Sequence, residues 1–299
     1  MFAPEAARGN DNTLWSTMAG TIRVLSRTYA MSANPIQLYE LEIRDTWFLF
    51  ILSAKVIDAH HPAQDRLTRL ILWARELGVL KRTLNSSQTP QQPIGQDDGT
   101  NVGFIVGSED DVVVQHAATS AGRIWLDLPF LILDLQDAWK TVMNPSEPAN
   151  HRCNLASAIA RLAGVGLLDE ALAGCGLSVL SLALETPESE STSKGLMLQL
   201  SQLLPMVQIW LHYAGDKLLQ LSLASHPVDD TAWYTEGSAH GQLACDAEID
   251  TASLNRERFQ FWKTRLSELR KTDHEATSRV ADSCFNIIEG VWKSVFGLS

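Results

Sequence analysis

His212 stands four residues before Asp216, inside the run Trp210-Leu-His-Tyr-Ala-Gly215. On a helix this spacing puts an imidazole and a carboxylate on one face, and such a pair can move a proton on a bound substrate. The same spacing also makes an ordinary exposed salt link. Arg161 and Asn154 are polar residues in otherwise apolar stretches, as is Glu185. Arg161 can polarise a substrate carbonyl, or it can close a buried interhelical ion pair with Glu185. His212, Arg161 and Asp134 form the candidate catalytic set, with His212 as proton donor or acceptor and Arg161 as the polarising group. Trp125, Asp127, Asn154, Trp210 and Tyr213 are candidate substrate-binding residues, the tryptophans as apolar walls.

Other constellations offer different chemistry. Asp134 and Asp137 lie three apart in the apolar run from Arg123 to Trp139, and Asp127 precedes them. Facing carboxylates can hold magnesium and a diphosphate, as in an unorthodox terpene cyclase, although magnesium asks for a fuller set of oxygens. His60, His61 and Asp65 would need a further ligand to bind a metal; without one they read as the start of a helix, with Pro62 in its first turn. Asp110-Asp111 and Asp229-Asp230 read as solvated loop residues. Arg256, Arg258, Lys263 and Arg265 read as a solvated basic face pairing Glu257 and Glu268. No GxSxG elbow, P-loop, GxGxxG fingerprint or HExxH occurs, so no cofactor is indicated. Cys153, Cys175, Cys245 and Cys284 lack zinc-site spacing and read as reduced thiols, so no metal ligands are assigned.

The elements that would position these groups are helical. Apolar residues at helical spacing predict helices over 13–30, from Asn34-Pro35 onward with Pro35 at its first position, and over 63–77 with Gly78 as the cap. The second carries Leu38, Leu41, Ile43, Phe48, Leu52 and Val56 all round its axis, which predicts deep burial. Further helices are expected over 128–143, 150–162, 168–185 and 193–224, the last kinked or split at Pro205. After a polar loop, 225–251, Ser253 can cap a helix with the stripe Phe259, Trp262, Leu266 and Leu269. The last helix has Val280, Cys284, Ile287, Val291 and Val295 in phase. Helical periodicity stops over 84–121, read as a long loop or insertion with room for a hairpin. The fold class is all-α, a single domain over 13–299 of roughly eight to ten helices, behind a disordered 1–12.

Composition narrows the partners. The chain has 299 residues, 45% of them hydrophobic, and a net charge of -11. That charge argues against nucleic acid and against anionic membranes. Nine tryptophans against four tyrosines suit a large core or an indole-lined cavity. The first residues lack a secretory pattern, so a cytoplasmic protein is expected, and the Asn85-Ser-Ser sequon is then without consequence.

Several short patterns also occur in order: His61-Pro-Ala-Gln-Asp-Arg-Leu67, Trp125-Leu-Asp-Leu-Pro129 with Asp134 and Trp139, Asn154 through Arg161-Leu162, Leu184-Glu185, Trp210 to Gly215, and Asn255-Arg-Glu-Arg-Phe-Gln-Phe-Trp262. Together they resemble a fungal family of helical proteins catalogued as domain of unknown function 3632, over about Leu41 to Leu269. The resemblance implies an all-helical fold and a fungal origin, and it brings no activity. Phe259, where the family tends to show tryptophan, and a polar insertion around Gln88 to Thr100 depart from the pattern. The leading expectation is a cofactor-independent cyclase, isomerase or lyase that tailors an apolar fungal secondary metabolite inside an indole-walled chamber. The rival is a non-catalytic helical interaction or regulatory protein, marked by a filled core and an exposed apolar patch. Oligomeric state is left open.

Overall fold

The computed structural model describes residues 12–85, 105–109, 112–187, 198–227, 233 and 241–297. Among the described residues there are ten α-helices, and the only strands are short. The architecture is all-α in substance. The N-terminal segment expected to be disordered (1–11 of it), the polar insertion around Gln88 to Thr100, and the Asp110-Asp111 and Asp229-Asp230 pairs lie outside the described residues. All four cysteines are unpaired thiols. Contacts group the chain into two compact units: residues 1–53 with 66–135, and residues 54–65 with 136–299.

In the first unit, α1 (Asn12–Met31) buries Leu14, Met18, Ile22, Leu25 and Tyr29, a single stripe at helical spacing. A 3-10 turn, Ile36–Tyr39, leads into α2 (Glu40–Val56). Pro35 caps that 3-10 turn and does not open the α-helix, because it keeps an extended ψ of 147°. The prediction that α2 is buried all round is corrected. Ile43, Trp47, Phe50 and Ile51 are buried, but Leu38, Leu41, Phe48 and Leu52 are exposed. α3 (Ala63–Glu76) buries Leu67, Leu70, Ile71 and Ala74, and Gly78 ends it at φ 69°.

Strands β1 (Lys81–Asn85), β2 (Ile105–Glu109) and β3 (Val112–His116) form an antiparallel sheet in the order β1-β3-β2, with a bulge between β2 and β3. β4 (Ala118–Thr119) and β5 (Gly122–Arg123) add a small hairpin. The sheet is where helical periodicity stops. α4 (Leu131–Val142) follows a turn in which Trp125, Leu128 and Phe130 all hold positive φ, of 65°, 50° and 69°. Each costs roughly 1–3 kcal/mol for a non-glycine residue. The turn is pinned by the Trp47 indole N–H, which donates to the Pro129 carbonyl at 2.7 Å, and by an edge-on Trp47–Trp125 contact at 6.0 Å.

In the second unit, α5 (Ala149–Gly164), α6 (Asp169–Leu180), α7 (Leu200–Leu223), α9 (Arg256–Leu269) and α10 (Glu275–Phe296) pack together, with the short α8 (Gln242–Asp246) in the segment predicted as loop. α7 packs along both α5 and α10. A Cβ on Gly164 would sit 2.0 Å from the Tyr213 carbonyl oxygen, so only glycine allows α5 and α7 to approach this closely. α7 runs unbroken through Pro205, so of the kink or split expected there the split does not occur. The proline is the sixth residue of the helix, where it lacks the N–H that would donate to the Ser201 carbonyl. Asn255, not Ser253, caps α9, its side chain accepting from the Arg258 N–H at 2.7 Å. The buried face of α10 is Thr277, Ala281, Cys284, Ile288 and Trp292, turned one position from the predicted stripe, and Val295 is exposed.

Candidate functional site

The nominated residues of the second unit divide into two groups. His61 Nδ1 accepts from the Ala63 N–H at 3.1 Å and so caps α3, the structural role that competed with metal binding. The next residues tie this helix start to α5. Gln64 donates its amide to the carbonyls of Ile57 and Asn154, Asn154 Nδ2 donates to the Lys55 carbonyl at 2.8 Å, and Ser157 Oγ donates to the Ala59 carbonyl at 2.6 Å. Arg161 pairs with Asp65 and donates to the Ala59 carbonyl at 3.3 Å. Its guanidinium lies 3.7 Å over the ring of Tyr213, whose far neighbour is His212 at 4.5 Å, edge-on. Arg161 and His212 therefore meet only through the Tyr213 ring that both touch, while the Asn154 side chain is spent on the Lys55 carbonyl.

Two features limit what this meeting place can do. Arg161 is committed to Asp65, a backbone carbonyl and a ring face, and not to Glu185, the partner offered as one of its two alternatives. His212 and Asp216 are both exposed, with no ion pair between them among the described residues. A general base needs an orienting partner and shelter from bulk water. Trp210, two residues earlier on α7, turns the other way. It is fully buried, and its ring packs so tightly on α6 that a Cβ at Gly176 would lie 2.7 Å from it. Trp210 and His212 cannot line one wall.

In the first unit, Asp134 is neutralised by Arg44, whose Nη2 lies 2.5 Å from Oδ1. Asp127 accepts from the Arg123 side chain and backbone N–H. The Arg123 hydrogen bond holds the Asp127 carboxyl below the usual carboxylate range, against a smaller opposing effect of burial. Trp125 is fully buried and donates to Ser26 Oγ at 2.8 Å. With Asp134 already facing a guanidinium, the proposed magnesium pair has lost one carboxylate. No cluster of three metal-ligating side chains occurs among the described residues.

The most heavily bonded acid was read from sequence only as a possible partner of Arg161. Glu185 ends a π-helical segment, Ser181–Glu185, that extends α6. Fully buried, it accepts from Arg258 Nε at 2.7 Å and Nη2 at 2.9 Å, from Trp262 Nε1 at 2.6 Å and from Ser181 Oγ at 2.8 Å. Arg258 also donates to the Thr251 carbonyl at 2.8 Å. Arg258 is thus interior and not part of a solvated basic face, while Lys263 and Arg265 do sit with Glu289 and Glu268. Four acceptor bonds compensate for burial of the carboxylate, and no lone pair is left aimed at a ligand.

An open groove in the first unit was missed altogether. It lies between α1 and α3 and has a volume of about 440 Å³. Trp15 and Arg23 come from α1, Arg66, Arg69 and Trp73 from α3, with Ala19 and Leu70 between them. The walls are paired across the groove: the Arg66 guanidinium lies 5.9 Å from the Trp15 ring and that of Arg23 lies 5.2 Å from the Trp73 ring. Arg66 and Arg23 have no carboxylate partner among the described residues. The signal in the sequence was a tryptophan and an arginine about two turns apart on each of two helices. It was overlooked because both helices also carry an ordinary buried stripe.

The comparisons with known proteins bear on the chain as a whole. It is 23% identical over 305 residues to a Penicillium oxalicum protein named oxopyrrolidines biosynthesis cluster protein G, a match that covers 93% of this chain and 76% of that relative. No solved structure matches. No helix among the described residues is long and apolar enough to cross a membrane. Residues 47–266 match the family described as protein of unknown function (DUF3632), a span containing the Asp65–Arg161 and Glu185–Arg258 pairs and the whole of α3, and the chain belongs to that family.

Proposed function

We propose that this protein serves a fungal secondary-metabolite pathway by holding a small molecule in the groove of its first unit, without chemical turnover. The pathway assignment rests on the likeness to a protein named for a biosynthesis cluster. The lining of the groove carries the rest: two indoles, three guanidiniums, an alanine and a leucine, with no side chain that titrates near neutral pH. Such walls bind and orient. They supply neither a nucleophile nor a general base. The reading shares only the lack of turnover with the non-catalytic alternative raised by the sequence, whose partner was another protein.

Deleting the gene in its fungus and profiling metabolites tests this. Loss of a binding function should lower the end product and its precursors together, or leave a labile one to decay. Accumulation of one stable intermediate would overturn the proposal. That outcome is what a second reading expects, in which the protein is a cofactor-free cyclase, isomerase or lyase. The meeting of Arg161, Tyr213 and His212 favours that reading. Under it, His212→Ala would accumulate the same intermediate as the deletion.

A further inference from the structure

We infer that the groove between α1 and α3 selects a ring-bearing carboxylate: a small molecule with a flat apolar face and an anionic group. The inference rests on the binding reading above and names its ligand class. Three observations carry it. The first is charge. Three arginines line one short groove in a chain whose net charge is -11, and two of them, Arg23 and Arg66, meet indoles where a carboxylate would be the ordinary partner. A cation–π contact holds a guanidinium in place while leaving its N–H fork available to an anion.

The second is reciprocity. α1 gives a tryptophan to the arginine of α3 at one end, and an arginine to the tryptophan of α3 at the other. Each end therefore has both an apolar plate and a positive charge. Eight residues separate Trp15 from Arg23 on α1, a rise of about 12 Å, which is the length of a fused two-ring acid. The third is the floor. Ala19, midway between Trp15 and Arg23 on α1, is half-buried and small, so the space between the two end pairs stays open to a flat guest.

The test uses the full chain labelled with nitrogen-15 on its tryptophan indoles, which gives nine side-chain N–H signals. Three probes separate ring from charge: 2-naphthoate, its neutral analogue 2-naphthamide, and cyclohexanecarboxylate, which has the charge without the flat face. The expected result is that naphthoate shifts the Trp15 and Trp73 signals, identified by Trp15→Phe and Trp73→Phe. Each of the other two probes should bind at least about tenfold more weakly. Arg23→Gln with Arg66→Gln, both at exposed positions, should erase the preference for acid over amide. Ala19→Phe should block the groove while leaving all four end residues in place. Equal binding of acid and amide would overturn the ligand class and leave the pathway reading to the deletion experiment. Shifts confined to other indoles, no shift with any probe, or undiminished binding by Ala19→Phe would each overturn the site itself.

Discussion

At the scale of single residues, Glu185 is the carboxylate on which most depends. It has no exposure, and three side chains aim four N–H or O–H groups at it. Removing one member of a buried ion pair leaves the other charged and unsolvated, at a cost of about 3–5 kcal/mol. Glu185→Ala should therefore lose an amount of that order in urea unfolding. Glu185→Leu with Arg258→Met removes both charges, and apolar replacement of a whole pair is often close to neutral. The double variant should recover part of the loss but not all of it, because Trp262 Nε1 and Ser181 Oγ would still lack their acceptor. A double variant at least as unstable as the sum of Glu185→Leu and Arg258→Met alone would show that the two residues act independently.

At the scale of elements, the helices were legible in the sequence and their partners were not. Periodicity located α1, α3 and α9 because each buries one continuous stripe, whereas α5 is buried nearly all round from Asn154 to Ala160. It failed on α2, where apolar residues occupy two faces and only one is buried. The exposed Leu41, Phe48 and Leu52 are indistinguishable by type from the buried Ile43, Trp47 and Phe50. The same limit governed the candidate site. Arg161 and Glu185 were recognised as interior charges, but spacing along a chain does not say which of several helices will lie opposite. Asp65 and Arg258 took the places each had been offered to the other. Glycines test the packing from the other side. Alanine should stabilise a helix relative to glycine by about 1 kcal/mol. At Gly290 in α10 a Cβ meets nothing within 4 Å, so Gly290→Ala should gain about that amount. At Gly164 the same Cβ meets the Tyr213 carbonyl oxygen at 2.0 Å, and backbone cannot rotate away. Overpacking of this kind costs about 1–3 kcal/mol, which outweighs the propensity gain. Gly164→Ala should therefore lower the melting temperature while Gly290→Ala raises it. A rise in both would mean that α5 and α7 are not held at this distance.

At the scale of the whole molecule, charge sets how stability should follow pH, and two effects of opposite sign compete. At neutral pH the chain carries -11, and protonating acids relieves that repulsion until the charge passes through zero near pH 5.2. Against this stand carboxylates that are held ionised. The hydrogen bond from Arg123 lowers Asp127, and the hydrogen bond from Lys263 lowers Glu289. A group whose pKa is lower folded than unfolded contributes stability that is complete above its unfolded value, here 3.8 and 4.5, and is lost as pH falls through the lowered folded value. In that window the unfolded chain binds more protons than the folded one, so acid favours unfolding. Below pH 5.2 the growing positive charge adds repulsion of the same sign. The melting temperature should therefore hold or rise slightly from pH 7 to about 5 and fall steeply below about 4. Asp127→Asn with Glu289→Gln deletes both proton sites, one from each compact unit. That variant should start lower at pH 7 and lose less between about pH 5 and 3 than the unaltered chain. An acid limb of unchanged steepness would assign the loss to the general build-up of positive charge instead of to these two pairs.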